Sequence, residues 1–188
     1  MTLFEKDKER ELIKLFQKDP DRGMEAIYRA YADFLMGICA RYVPDQDERK
    51  DVLQDSFIKI FTQLAFFEYK GKGALKAWVT RIAINEALLF LRKEKRRATV
   101  SLEEENMPDM DDEEPQVQGL TPEELTTLIQ ELPEGYRTVF NLFAIEGKSH
   151  KEIAALLGIR ADSSASQYHR AKTLLAKNIM EYKRKHEK

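Results

Sequence analysis

Residues 149–177, SHKEIAALLGIRADSSASQYHRAKTLLAK, are the stretch from which the fold can be read. Ser149 and Glu152 form a capping box, in which a hydroxyl and a carboxylate each satisfy a backbone amide that a first helical turn leaves without a partner. Ile153, Leu156 and Leu157 make a short buried face, and Gly158 supplies the left-handed residue that ends a helix. A longer helix starts near Asp162 or Ser163 and runs past Leu174, Leu175 and Ile179. Short helix, glycine turn and longer helix make a helix-turn-helix, the arrangement that carries the second helix into a DNA major groove. Spacings of three and four assign Ser164, Tyr168, Ala171 and Leu175 to the buried side. Ser163, Ala165, Ser166, Gln167, Arg170 and Lys172 are left to face DNA, where Gln reads an adenine edge and Arg and Lys serve phosphate or guanine. The same pattern also suits a plain helical hairpin packed for stability alone, with His150 a surface residue beside the capping serine.

Helical periodicity continues outward in both directions, and strand signals are nearly absent. Thr121-Pro122-Glu123-Glu124 is another capping box, followed by Leu125, Leu128, Ile129 and Leu132 and closed by Pro133. Tyr136, Val139, Phe140, Leu142 and Phe143 predict a further helix closed near Gly147. Toward the N-terminus, Met24, Ile27, Tyr28, Tyr31, Phe34, Leu35, Ile38 and Tyr42 form one apolar stripe, and Pro44 ends it. Asp45 with Glu48 starts the next helix, whose apolar face is Val52, Leu53, Phe57, Ile60, Phe61 and Leu64 and whose other face shows Asp47, Asp51, Gln54, Asp55 and Lys59. Lys70-Gly71-Lys72-Gly73 reads as a loop. A long helix follows from about Leu75 to Arg97, and a weaker amphipathic one precedes Asp19 around Leu12, Ile13, Leu15 and Phe16.

The formal net charge of −2 conceals segregation. Residues 68–97 carry nine Lys/Arg against three Asp/Glu, whereas residues 98–119 carry eight Asp/Glu and no Lys/Arg. The acidic stretch, with Pro108 and Pro115 and few large apolar residues, reads as a flexible linker. The basic stretch combines a glycine loop, Trp78, Asn85 and the run Arg92 to Arg97. Single-strand binding needs a cationic track for phosphates and a group for unpaired bases, here Lys70, Lys72, Lys76, Arg81 and Arg92 with Asn85. A solvated helix face, with Trp78 in the core and Asn85 bridging helices, accounts for the same residues.

Other classes are excluded by inventory. No apolar run approaches the ~20 residues of a membrane span. The opening Met1 to Asp7 has acidic residues and no apolar core, so no secretory signal is expected. One cysteine, Cys39, excludes an internal disulfide and lies in the apolar phase of its helix, which predicts a buried, inert thiol. His150, His169 and His186 match no metal spacing, and no phosphate-binding glycine loop is present, so neither an enzyme nor a metal or cofactor site is expected.

Taken together, three stretches resemble the extracytoplasmic-function (ECF) sigma factors of bacterial RNA polymerase. Asp51-Val52-Leu53-Gln54-Asp55-Ser56-Phe57 is similar to that family's D-L-V-Q-E-x-F helix. Tyr69 to Asn85 is similar to F-R-G-x-x-x-F-x-x-W-L-x-R-I-A-x-N. Ser149 to Lys172 resembles its conserved-region-four helix-turn-helix. The resemblance implies an all-α chain of two small helical domains: a region-2-like domain over 1–97, an acidic linker over 98–119 and a region-4-like domain over 120–188. It implies polymerase contacts at Asp51, Gln54, Asp55 and Lys59. Melting and reading of the minus-ten element fall to Lys70, Gly71, Lys72, Lys76, Trp78, Arg81, Asn85 and Arg92. The minus-thirty-five duplex falls to Ser163, Ala165, Ser166, Gln167, Arg170 and Lys172. Glu103, Glu104, Glu105, Asp111 and Asp112 would suit a path that nucleic acid otherwise takes. The implied partners are core RNA polymerase, promoter DNA as duplex and single strand, and an anti-sigma factor, in the cytoplasm and without membrane insertion. The chain departs from the family pattern at Thr80, where an aromatic is usual, at Ser164, where an apolar residue is usual, and at Ala165 and Gln167, where cations are usual.

Two rival readings use the same residues. A stand-alone helix-turn-helix regulator would bind duplex DNA as a dimer, but it has no use for the Asp51, Gln54 and Asp55 face. A decoy that binds only a regulator has no use for the basic helix.

Overall fold

Three aspartates begin the first three helices, each accepting backbone amides that a first turn leaves open. Asp7 caps α1 (Lys8–Lys18), Asp19 caps α2 (Pro20–Tyr42) and Asp45 caps α3 (Gln46–Gln63). Asp19 also ends α1, its own amide donating to the Leu15 carbonyl at 2.8 Å. Pro20 then opens α2, where the missing amide costs nothing. The corner is tight. A Cβ added at Gly23 would fall on the backbone of Phe16, so only glycine lets α1 and α2 approach this closely.

The computed structural model describes residues 7–97 and 114–186, and all their regular elements are helical. They fall into two compact units divided between Thr99 and Val100. In the first unit a single 3₁₀ turn, Leu64–Phe66, follows α3, and α4 spans Ala74–Arg97. Each of α2, α3 and α4 packs on the other two, and α1 packs on α2. Ile27, Leu35, Tyr42, Ile60, Leu75 and Leu88 are fully buried between them. Cys39 is buried as expected, and burial pushes its thiol up to about 11, which leaves it protonated and unreactive. Two members of the expected stripe on α2 are not core. Tyr28 and Phe34 are 48% and 38% exposed, Tyr28 resting on the Phe57 ring and Phe34 beneath the Lys76 ammonium.

The second unit contains α5 (Pro122–Gln130), α6 (Glu134–Phe140), α7 (His150–Leu157) and α8 (Ala161–His186). Both expected capping boxes form, at Thr121 with Glu124 and at Ser149 with Glu152. The helix expected to run through Phe143 instead widens after Phe140 into a π turn, Asn141–Ile145, where Glu146 donates back to the Asn141 carbonyl at 3.0 Å. Leu128, Ile129, Leu132, Tyr136, Ala171, Leu175 and Ile179 form the core, with α8 as its spine. Arg137 is buried and donates to the carbonyls of Gln130 and Leu132 at 2.9 Å each, closing the C-terminal end of α5.

Of the acidic stretch 98–119, residues 98–113 lie outside the described residues, including Glu103, Glu104, Glu105, Asp111 and Asp112. Residues 114–117 run along α8. Glu114 accepts from Lys172 at 2.8 Å, and Lys183 donates to the Gln116 carbonyl at 2.7 Å.

Candidate nucleic-acid interface

On α3, Asp51, Gln54, Asp55 and Ile58 are all exposed and share one face by their spacing of three and four. Ile58 is 53% exposed, and together with the nearby Phe66, 84% exposed, it adds apolar surface that the sequence reading did not mark. Lys59, expected on this face, is turned elsewhere. Its ammonium lies 2.5 Å from the carboxylate of Glu86 on α4, a residue only 6% exposed, because an uncompensated carboxylate there would carry a large desolvation cost. Lys59 is therefore engaged across to α4, although its side chain keeps 45% of its exposure.

On α4, Arg81, Asn85 and Arg92 are exposed and fall on one stripe at intervals of four and seven. Arg92 also donates to the Leu88 carbonyl at 3.3 Å, which holds its stem along the helix. Trp78, three residues before Arg81 and seven before Asn85, falls on the same line of the helix and is half-buried, its ring centroid 4.9 Å from that of Phe67. Lys76 does not belong to it. It stands nine residues, about two and a half turns, from Asn85 and so on the opposite side of the helix, over the Phe34 ring at 4.4 Å. Lys70 and Lys72 are exposed on the loop before α4, where Gly71 and Gly73 have φ of 122° and 89°, backbone conformations that favour glycine.

In the second unit, α7 ends on Gly158 at φ 69°, with the amides of Gly158 and Ile159 both donating to the Ala154 carbonyl, and α8 begins three residues later. The helix-turn-helix is held by an aromatic clasp. His150 stacks on Phe143 with centroids 4.4 Å apart, and Phe143 packs on Tyr168 at 4.3 Å. His150 is thus half-buried and not the surface residue the sequence suggested. Its Nδ1 lies 3.0 Å from the hydroxyl of Ser164, which is fully buried. That hydrogen bond explains how a serine fits where the family pattern places an apolar residue.

The exposed residues along the first turns of α8 are Asp162, Ala165, Ser166 and His169. Of the residues expected to face DNA, Ala165 and Ser166 are exposed. Ser163 and Gln167 are half-buried, and the Gln167 side-chain oxygen sits beside Gly135 at the start of α6. Arg170 leans back to within 3.4 Å of the Tyr136 hydroxyl. Lys172 is occupied by Glu114 with its side chain only 13% exposed, because the chain entering the second unit covers this part of the helix. The sequence reading missed Arg160, which immediately precedes α8 and is 85% exposed, and His169. Arg160 has a legible signal, a cation in the turn of the motif. His169 falls in step with Ala165 and Ser166, a register that only the observed burial fixes.

The model of sigma-70 region 2 matches residues 27–97, which comprise α3, α4 and most of α2. The model of sigma-70 region 4 matches residues 122–175, from α5 into α8. The RNA polymerase sigma-H factor of Pseudomonas aeruginosa is 29% identical over 184 residues, covering 92% of this chain and 94% of its own. The ECF RNA polymerase sigma-E factor of Escherichia coli is 29% identical over 180 residues, covering 89% and 92%. The chain belongs to the ECF sigma factors. This sigma factor is accordingly a promoter-specific transcription initiation factor, and members of its family are initiation factors and not catalysts. The solved sigma factor RpoE, in complex with the anti-sigma factor NepR, from Bartonella quintana shares the fold with a TM-score of 0.50 at 21% identity, covering 83% of this chain and 96% of that one. Among the described residues no helix is long and apolar enough to cross a membrane, and no cluster of metal-ligating side chains occurs.

Proposed function

We propose that the two units of this sigma factor divide initiation between three surfaces. Asp51, Gln54, Asp55 and Ile58 on α3 dock core RNA polymerase. Lys70, Gly71 and Lys72, together with Arg81, Asn85 and Arg92 on α4, take up the separated strand of the minus-ten element, with half-buried Trp78 one turn before Arg81 on the same line. Arg160, Ala165, Ser166 and His169 meet the minus-thirty-five duplex. The observation that carries this reading is the single exposed stripe of Arg81, Asn85 and Arg92, with the loop lysines just before it in the chain. Cations neutralise phosphates without regard to sequence, and an exposed amide can read the edge of an extruded base. The stretch 98–119 carries eight Asp/Glu and no Lys/Arg, a composition that suits a path lined for nucleic acid. An anti-sigma factor, a cytoplasmic location and the absence of any catalytic role belong to the same proposal.

Two variants separate the surfaces. Asn85→Ala should lower opening of the promoter, read as permanganate reactivity of unpaired thymines, while leaving polymerase binding intact. Asp51→Ala combined with Gln54→Ala should weaken polymerase capture and leave opening normal once enough complex is assembled. Parallel loss of both properties in either variant would refute the assignment.

A further inference from the structure

The loop that precedes α4 has no capping side chain of its own, since Gly73 stands where a serine or aspartate would serve. The cap comes from 64 residues earlier. The Glu9 carboxylate on α1 accepts from the amides of Gly73 at 2.9 Å, Leu75 at 3.1 Å and Lys76 at 3.1 Å. Tyr31 on α2 donates its hydroxyl to the same carboxylate at 3.3 Å. At the other end of the loop, the Tyr69 hydroxyl donates to Asp7, whose second oxygen caps α1 through the Glu9 and Arg10 amides. Two acids at the N-terminal end of α1, its cap Asp7 and first-turn Glu9, therefore hold both ends of the loop that carries Lys70 and Lys72.

A carboxylate beneath a DNA-binding loop should repel phosphate. Here its charge is answered locally by four donors, three of them amides at the positive end of a 24-residue helix. With that charge answered, the brace can order the glycine-rich backbone with little repulsion of the strand. A loop with two glycines in left-handed conformations otherwise has to be ordered by the ligand, and that ordering is subtracted from binding and from discrimination between bases.

We propose that Glu9 is a positioning residue for promoter opening, setting the loop before DNA arrives so that Lys70, Lys72 and Asn85 meet the displaced strand in register. The inference rests on the reading of the loop and α4 as the minus-ten interface. Nothing in the family motifs marks Glu9, which lies outside the matched residues 27–97.

The test uses the full chain with core polymerase. Glu9→Ala and Glu9→Gln are compared on a cognate duplex promoter and on promoters substituted at single minus-ten positions, with polymerase affinity measured alongside. Glu9→Ala should slow opening by about tenfold, the order expected for a lost capping interaction. It should flatten the preference for the cognate base by a similar factor, while polymerase affinity stays within about twofold because α3's exposed face is a separate site. Glu9→Gln, which keeps one acceptor oxygen, should fall between Glu9→Ala and the parent. The base preference is a ratio taken on one preparation, so partial unfolding does not move it. An unchanged base preference in Glu9→Ala, beside a preference abolished by Asn85→Ala, overturns the brace and leaves the interface standing. Loss of polymerase affinity in step with opening also overturns it, because the role is then structural. An unchanged preference in Asn85→Ala removes the interface, and the brace with it.

Discussion

Lys59 on α3 and Glu86 on α4 meet at 2.5 Å, with the lysine side chain 45% exposed and the glutamate 6% exposed. The contact ties the helix that shows Asp51, Gln54 and Asp55 to the helix that shows Arg81, Asn85 and Arg92. Lys59→Met should leave the Glu86 carboxylate buried without its partner and cost about 1–2 kcal/mol, less than a fully buried pair because solvent reaches the lysine. Adding Glu86→Leu should recover most of the loss, as read by urea denaturation of the single and double variants. A Lys59→Met variant as stable as the parent but defective in polymerase binding would return Lys59 to the docking face.

Gly23 lies in the first turn of α2 with the Phe16 backbone against it. Alanine is the better helix former by about 1 kcal/mol, so propensity alone favours Gly23→Ala. Packing decides the opposite sign. The variant should lose about 1–3 kcal/mol, because α1 must shift to admit the methyl group. Thermal melting gives the sign directly.

Hydrogen bonds hold two carboxyls of the second unit below their usual range. The Ser149 hydroxyl does so for Glu152, and the Tyr182 hydroxyl for Glu124. A carboxyl with a depressed folded value contributes stability above its unfolded value, near about 4.3, and loses it as pH falls through the folded value. Stability should be insensitive to these two groups from neutral pH down to about 5 and should decline below about 4.3. Glu152→Gln should make that acid limb shallower. A melting series between pH 3 and 7 on both proteins checks the sign.

The slope of duplex affinity against salt separates exposed cations from covered ones: Arg160 is 85% exposed with Asp162 at 3.6 Å, whereas Lys172 is 13% exposed against Glu114. Arg160→Ala should reduce the slope of log K against log salt by about 0.9, the value for one phosphate contact. Lys172→Ala should leave it unchanged, because Glu114 already takes that ammonium. Equal reductions would show that the contact with Glu114 opens on DNA.

What the sequence made legible was local. The Thr121 and Ser149 capping boxes, the Gly158 turn and the spacing of Ile27, Tyr31, Leu35, Ile38 and Tyr42 each lie within one element, and the structure bears out every one. The positions of Asp51, Gln54, Asp55, Arg81, Asn85 and Arg92 on exposed faces follow from the same periodicity. What stayed hidden depends on pairs far apart in the chain. Lys59 turns toward α4 because Glu86 is buried there, 27 residues later. Lys76 turns to Phe34, and Lys172 turns to Glu114. A long cationic side chain can reach several neighbours, and spacing alone does not choose among them. The Glu9 cap was invisible for the same reason. Capping rules look to nearby side chains, and this one crosses 64 residues.

Run-off transcription is the most direct test of the account. Purified chain added to bacterial core RNA polymerase, on a library of promoter fragments, should direct transcripts from a defined start. Selection should require both an upstream element and a minus-ten element at fixed spacing. The contradicting result is an absence of promoter-specific transcript from core polymerase while the chain alone protects a two-fold symmetric duplex site.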